Sequence, residues 1–122
     1  MGYQEFRELR VWQEAKHLAV QIYKVTASGK FSMDYGLRDQ VQRAAVSVAS
    51  NIAEGYERNS KKDFLRYLLI SKGSLSELRT QLEIAMEIGY IDRNTFAKIE
   101  DLCKKITAML INLMKARSEC HT

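Results

Sequence analysis

Residues 44–58 read AAVSVASNIAEGYER, and this stretch decides how the rest of the chain is interpreted. Its first ten side chains are short, with Asn51 the largest polar one and Ile52 the largest apolar one. The chain contains no proline, so nothing here interrupts a helix. At helical spacing Val48 and Ile52 share one face, and polar side chains lie opposite at three- and four-residue steps. Short side chains let two helices approach closely, so the stretch predicts a helix packed tightly against a neighbour.

Amphipathic periodicity extends outward from this stretch over most of the 122 residues. Ser60 with Asp63, and later Asp92, have the spacing of helix N-caps and separate the later segments. No strand alternation is present. The pattern predicts one all-α domain over residues 1–122, an antiparallel up-down-up-down four-helix bundle. Apolar residues recur at alternating steps of three and four in segments at about residues 5–27, 35–58, 61–88 and 93–117.

The second and third predicted helices carry polar stripes that we expect to pack against each other in a hydrogen-bonded network. A carboxylate buried there would need a cation or a donor, which Arg43, Arg58 or Arg79 could supply. Such a network fixes helix register more than it adds stability. Contact with a ligand or partner is the alternative interpretation. The side chains assigned to the stripes are Ser50, Asn51, Glu54, Ser74, Glu77 and Gln81.

The third predicted helix is apolar around most of its circumference. A single seam inside one protomer needs only one apolar stripe, so the surplus predicts a second buried contact, most simply with another copy of the chain. Trp12, with Phe6 upstream, is expected to anchor a core or an interface rather than to stack on bases. The predicted oligomer interface comprises Trp12, Leu65, Leu69 and Ile70.

The net charge of +4 permits a nucleic-acid or acidic-protein partner without requiring one. Cations concentrate where the second predicted helix passes into the third. They are either a solvated surface or a patch that contacts phosphates, and a ring-shaped oligomer would repeat the patch in each subunit. The candidate nucleic-acid-binding residues are Arg38, Arg43, Arg58, Lys61, Lys62 and Arg66.

Enzymatic sites have little support in the sequence. Glu54 and Glu77 resemble the carboxylates of di-iron bundles, but those sites need two Glu-x-x-His pairs, and the chain has only His17 and His121. No Ser–His–acid order, Gly-rich phosphate loop or nucleotide fingerprint occurs. Cys103 lies on the fourth seam and is expected in the core. We therefore expect no catalysis, no cofactor and no metal.

The charged first ten residues do not resemble a secretory signal, and no apolar run approaches the ~20 residues that span a bilayer. Two cysteines are too few for a disulfide framework. We expect a cytoplasmic protein with no membrane contact.

Several motifs resemble the proteins encoded in intervening sequences of 23S ribosomal RNA. They include Tyr-Gly-Leu at 35–37, SNIAEG at 50–55 with Arg58 following, and GS at 73–74 before EL at 77–78. The resemblance implies a bundle of four antiparallel helices that assembles into a ring, commonly a homopentamer. It also implies kinship with the accessory proteins of diversity-generating retroelements, which are more strongly basic and bind nucleic acid and a reverse transcriptase.

The functional expectation is a non-enzymatic, ring-forming helical protein that binds RNA or a nucleoprotein partner through basic patches. The alternative is a protein-binding structural scaffold with no affinity for nucleic acid. Phosphate contacts would make RNA affinity fall steeply with salt, which separates the two.

Overall fold

The computed structural model describes residues 5–118, and within them every regular element is helical. This confirms the all-α prediction. The expectation of four helices was incomplete, because a short fifth one lies between the first two long ones. After a 3₁₀ turn at Phe6–Glu8, the helices are α1 Arg10–Val25, α2 Gly29–Met33, α3 Tyr35–Glu57, α4 Lys61–Glu87 and α5 Arg93–Ser118.

Helix α1 begins at Arg10, later than the periodicity indicates. The preceding Leu9 is extended, with φ −72° and ψ 124°, and the 3₁₀ turn before it places Phe6 next to the helix. The rings of Phe6 and Trp12 meet edge to face with centroids 5.2 Å apart. The apolar residues upstream of Arg10 therefore belong to a turn that folds back onto α1, and they do not extend it.

Helix α2 is anchored by Phe31, which is fully buried. Its ring lies 5.4 Å from that of Tyr90 in the α4–α5 loop, and the Tyr90 hydroxyl donates to Asp34 at 2.9 Å. Asp34 also caps α3 by accepting from the backbone N–H of Leu37 at 3.1 Å. Both hydrogen bonds lower the pKa of the Asp34 carboxyl, and the one from the Leu37 backbone N–H has the larger effect. The corner between α2 and α3 is thus tied to the far end of α4.

The predicted caps of α4 and α5 are present. The Ser60 hydroxyl accepts from the backbone N–H of Asp63 at 3.1 Å, and the Asp92 carboxylate accepts from that of Thr95 at 2.7 Å. Gly89 ends α4 with φ +86°, a backbone conformation that favours glycine. Local sequence chemistry therefore sets these helix ends.

The long helices pack around one hydrophobic core in the cyclic order α1, α3, α4, α5. Hydrogen bonds between α3 and α4 join Gln40 to Gln81 and Ser47 to Ser74, so these two helices run in opposite directions. The largest fully buried side chains are Phe31, Leu18, Ile22, Ile52, Leu68, Leu75, Leu78, Leu82, Ile106, Leu110, Val41 and Val48.

Helices α4 and α5 are joined by an ion pair between Arg79 and Glu100. Arg79 donates to both carboxylate oxygens, at 3.1 and 2.6 Å, and only 21% of the Glu100 side chain is exposed. These hydrogen bonds hold the pKa of Glu100 below its ordinary value of 4.5. A carboxyl whose pKa falls on folding stabilises the native state above its unfolded pKa, and this contribution is lost as pH falls through the folded pKa.

We expect Glu100→Gln to lower stability by about 0.5–1 kcal/mol near neutral pH, and this deficit to shrink as the solution is acidified through the lowered pKa of Glu100. The measurement is thermal unfolding of both proteins across this pH range. Glu77→Gln, which changes an exposed carboxylate, is the control and should follow the wild type throughout. A Glu100→Gln deficit that is constant with pH would contradict the assignment.

Candidate nucleic-acid interface

The turn between α3 and α4 gathers cations from three helices at one end of the protein. Arg58 follows α3 in extended conformation, and α4 begins three residues later. The last turn of α5 reaches the same end, where Arg117 contacts Phe64 in the first turn of α4. We call this cluster the basic corner; its members are Arg58, Lys61, Lys62, Arg66 and Arg117.

Two arginines of the basic corner contact the ring of Tyr67 in α4. The guanidinium carbons of Arg58 and Arg66 lie 5.2 and 4.7 Å from the ring centroid. Arg58 also donates to the Tyr67 hydroxyl at 3.0 Å and to Glu54 at 2.9 Å. The Glu54 hydrogen bond, and then Tyr67, raise the pKa of Arg58. Arg58 is therefore held in position, with part of its charge balanced by Glu54.

A pocket of about 280 Å³ opens beside this cluster. Phe64, only 5% exposed, supports it from below and packs edge to face against Tyr56 at 5.7 Å. Arg117 lies with its guanidinium carbon 5.1 Å from the Phe64 ring centroid. Among residues 5–118, no carboxylate oxygen comes within ion-pair distance of Arg117. Within that range, the pocket thus presents a guanidinium that lies over an aromatic ring and has no carboxylate partner.

Sequence reasoning missed Arg117 because it follows the last seam residue of α5 and has no local motif. The signal that could have found it is topological. In an antiparallel pair, the end of α5 must lie beside the start of α4, where Lys61, Lys62 and Arg66 are grouped by sequence.

The structure does not bring all six predicted cations together. Arg38 lies near the start of α3 and Arg58 follows its end, about 30 Å away at a rise of about 1.5 Å per residue. Arg38 pairs there with Asp39 at 3.0 Å and stacks on Tyr35 at 4.8 Å. Arg43 is exposed midway along α3, beside a shallow depression that Glu77 also lines. Neither belongs to the basic corner, because a helix separates residues along its axis as well as around it.

The polar stripes of α3 and α4 do meet, through a smaller set than predicted. The Ser47 and Ser74 hydroxyls lie 2.9 Å apart across the gap, and Asn51 Nδ2 donates to Ser47 Oγ at 2.9 Å. Ser71, fully buried, donates to the Val48 carbonyl at 2.9 Å. Ser47 lies on the polar stripe of the second predicted helix, whereas Ser71 was not among the predicted members.

Three predicted members of the polar network were wrongly placed. Ser50, Glu54 and Glu77 are exposed in the chain, and Glu54 pairs with Arg58 one turn along its own helix. Ser50 and Glu77 lie about 60° round their helices from Ser47 and Ser74, whereas Glu54 lies nearly in line with Ser47, two turns farther along α3. A stripe about 100° wide contains residues that flank a contact as well as residues that form it.

Gln81 was predicted in the polar network and is buried at the α3–α4 contact, with 7% exposed. Its Nε2 donates to Gln40 Oε1 at 3.4 Å, whereas its Oε1 has no hydrogen-bond partner among the described residues. The hydrogen-bonding groups of the Gln81 side chain are therefore only partly paired among the described residues.

Residues of the predicted interface differ in their exposure. Leu69 is 60% and Ile70 41% exposed, whereas Leu65 and Trp12 are half-buried, with Trp12 packed against the core. One chain therefore leaves the outer face of α4 partly uncovered. Other exposed large apolar side chains are Val20, Tyr23, Met33, Tyr35, Val46, Ile84, Ile88 and Ile111.

Within residues 5–118, no group of three or more His, Cys, Asp or Glu side chains is arranged to hold a metal ion. Glu14 and His17 have the Glu-x-x-His spacing, but Glu14 pairs with Lys105 at 3.2 Å and His17 is exposed. Burial raises the pKa of the Cys103 thiol to about 12, so it stays protonated in the core. Cys120 and His121 lie outside the described residues. None of the described helices has the length and apolarity to cross a membrane.

Two comparisons bear on the architecture and its relatives. A family model described as 23S rRNA-intervening sequence protein matches residues 7–112. The chain is also similar to the crystal structure of a protein with unknown function from the S23 ribosomal protein family of Bacteroides thetaiotaomicron VPI-5482. The two are 26% identical with a TM-score of 0.79, over 86% of this chain and 98% of that one. A search of curated proteins finds no match.

Proposed function

Since the chain belongs to the family of 23S rRNA-intervening sequence proteins, we propose that it is a non-enzymatic cytoplasmic protein that forms a homopentameric ring and binds RNA or a nucleoprotein through its basic corner. The proposal takes the four long helices as an antiparallel up-down-up-down bundle with α2 as a brace. The hydrogen bonds that pair Gln40 with Gln81 and Ser47 with Ser74 make α3 and α4 antiparallel, which supports that topology. It includes kinship with retroelement accessory proteins, but not reverse-transcriptase binding, because a net charge of +4 is modest.

The observation that carries RNA binding is the convergence of five cations from three helices on one corner. Glu54 and Asp63 balance part of this charge by pairing with Arg58 and Arg66 at 2.9 and 3.8 Å. Arg117 and the exposed Lys62 add cations that these two pairs leave unbalanced. Cations grouped on one surface attract phosphates and release counterions when they bind them.

Assembly into a ring is supported by the outer face of α4. Leu69 and Ile70 lie there with 60% and 41% of their surfaces exposed. Such a face is suited to close contact with another copy. A ring would present the basic corner once per subunit, so that weak phosphate contacts sum by avidity.

Replacing Lys61, Lys62 and Arg66 together by alanine should weaken RNA binding by more than about tenfold at 100 mM salt and reduce the slope of log K against log salt by about 2. Fluorescence anisotropy with a labelled single-stranded RNA measures both quantities. The reason is the loss of three phosphate contacts, and light scattering should show an unchanged oligomer.

The matched control replaces Lys24, Lys98 and Lys104, which lowers the net charge equally but lies away from the basic corner. It should keep most of the affinity. Equal losses in both triple variants would mean that overall charge, and not this corner, attracts RNA. Undetectable RNA binding by the wild type would overturn the proposal and favour the alternative, a protein-binding scaffold, which the exposed apolar face of α4 also supports.

A further inference from the structure

We propose that the pocket of the basic corner binds one unpaired RNA nucleotide, with its base on the Arg117 guanidinium and its phosphate between Arg58 and Lys61. This inference rests on the proposed function and goes beyond it by naming the ligand unit and the residue that recognises its base. It predicts that the protein prefers single-stranded RNA to duplex.

Arg117 is the group suited to the base. Its guanidinium is held over the Phe64 ring at 5.1 Å, and that ring is fixed in turn by Tyr56 at 5.7 Å. Bases stack on planar guanidinium groups as they do on aromatic rings. Phe64 is too buried to receive a base directly, with 5% of its surface exposed, so Arg117 forms the accessible stacking surface.

Two other cations that line the pocket suit a phosphate. Arg58 is positioned by Glu54 and Tyr67, which spares it the entropy cost of being ordered by a ligand. Lys61 lines the same pocket from the first turn of α4. A cation on each side of one phosphate is a common arrangement for charge-assisted hydrogen bonds.

The remaining lining groups are polar and small. The Ser60 hydroxyl accepts from the backbone N–H of Asp63, so its own proton is available to donate, and the Asn59 amide offers both a donor and an acceptor. A volume of about 280 Å³ lies near the lower limit for ligand pockets, so it suits a single nucleotide. Bases in a duplex are stacked inside the helix and cannot enter without being flipped out.

The test compares Arg117→Ala and Arg117→Lys with the wild type, using a labelled single-stranded ten-nucleotide RNA and a blunt ten-base-pair RNA duplex. We expect Arg117→Ala to lower single-strand affinity about tenfold and duplex affinity by much less. Arg117→Lys keeps the charge without the planar group, so it should keep the salt slope yet lose most of the single-strand preference. Lys115→Ala, a cation two residues away that does not line the pocket, is the control and should behave as the wild type.

Melting curves check that each variant is folded, and Asn59→Ala provides a second variant on the exposed rim. The inference is overturned if Arg117→Ala binds single strands as the wild type does while the triple variant of Lys61, Lys62 and Arg66 is impaired; the proposed function then stands. It is also overturned if lysine restores full single-strand preference, since charge alone would then suffice. A wild type that binds no RNA overturns both.

Discussion

Phe31→Ala is expected to destabilise the protein by about 3–5 kcal/mol, the range for removing a fully buried phenylalanine. The ring lies under α2 and against Tyr90, so its loss leaves a cavity where the α2–α3 corner meets the α4–α5 loop. The hydrogen bond from Tyr90 to Asp34 spans the same place and would lose its packing support. Urea or thermal unfolding at matched protein concentration measures the change, and the melting temperature should fall by more than about 10 °C.

Met33→Ala is the matched control, because Met33 lies on the same short helix with 70% of its surface exposed. Its effect should stay within about 0.5 kcal/mol. If Phe31→Ala unfolds within about 1 kcal/mol of the wild type, α2 is not an anchor and its burial contributes little.

Gly55→Ala is expected to destabilise the protein by about 1–2 kcal/mol, even though alanine favours helices. A Cβ at this position would lie 2.6 Å from Tyr67 Cβ and 3.2 Å from Phe64 Cδ1. The first of these atoms is next to the backbone, so α3 and α4 themselves must separate. Overpacking of this kind costs about 1–3 kcal/mol, which exceeds the gain in helix propensity of at most about 1 kcal/mol.

Gly73→Ala, measured by thermal unfolding, shows the gain in helix propensity without overpacking. Gly73 lies inside α4 with nothing within 4 Å of the place that a Cβ would occupy, so alanine there should raise stability by about 0.5–1 kcal/mol. Opposite signs at the two glycines are the expected result. A Gly55→Ala protein as stable as the wild type would show that α3 and α4 can separate at this point without cost.

The long helices could be located from sequence because each carries a seam at regular spacing, and Ser60, Gly89 and Asp92 mark the start of α4, its end and the start of α5. The family resemblance, based on the SNIAEG run and the later GS and EL pairs, agrees with the family match over residues 7–112. Helix α2 was missed since five residues are too short to show a period. The only sign of it was Phe31, one apolar residue between polar neighbours.

The candidate site was only partly predictable. Lys61, Lys62 and Arg66 are close in sequence, so their grouping followed directly from the chain order. Arg117 joins them through the tertiary fold alone. Ser50 and Glu77 were misplaced because one chain's periodicity defines a face to within about 100° and cannot tell which edge of it meets a neighbour.

The cyclic order of the helices has a consequence for how the chain finds its structure. The α3–α4 and α4–α5 contacts join helices adjacent along the chain, and only a short brace separates α1 from α3. Sequence-local contacts of this kind need little loop-closure entropy and favour rapid folding. The α1–α5 contact, where Glu14 meets Lys105, instead joins the two ends of the chain. Because this contact spans most of the chain, it carries the largest loop-closure cost, so we expect the α1–α5 seam to close last.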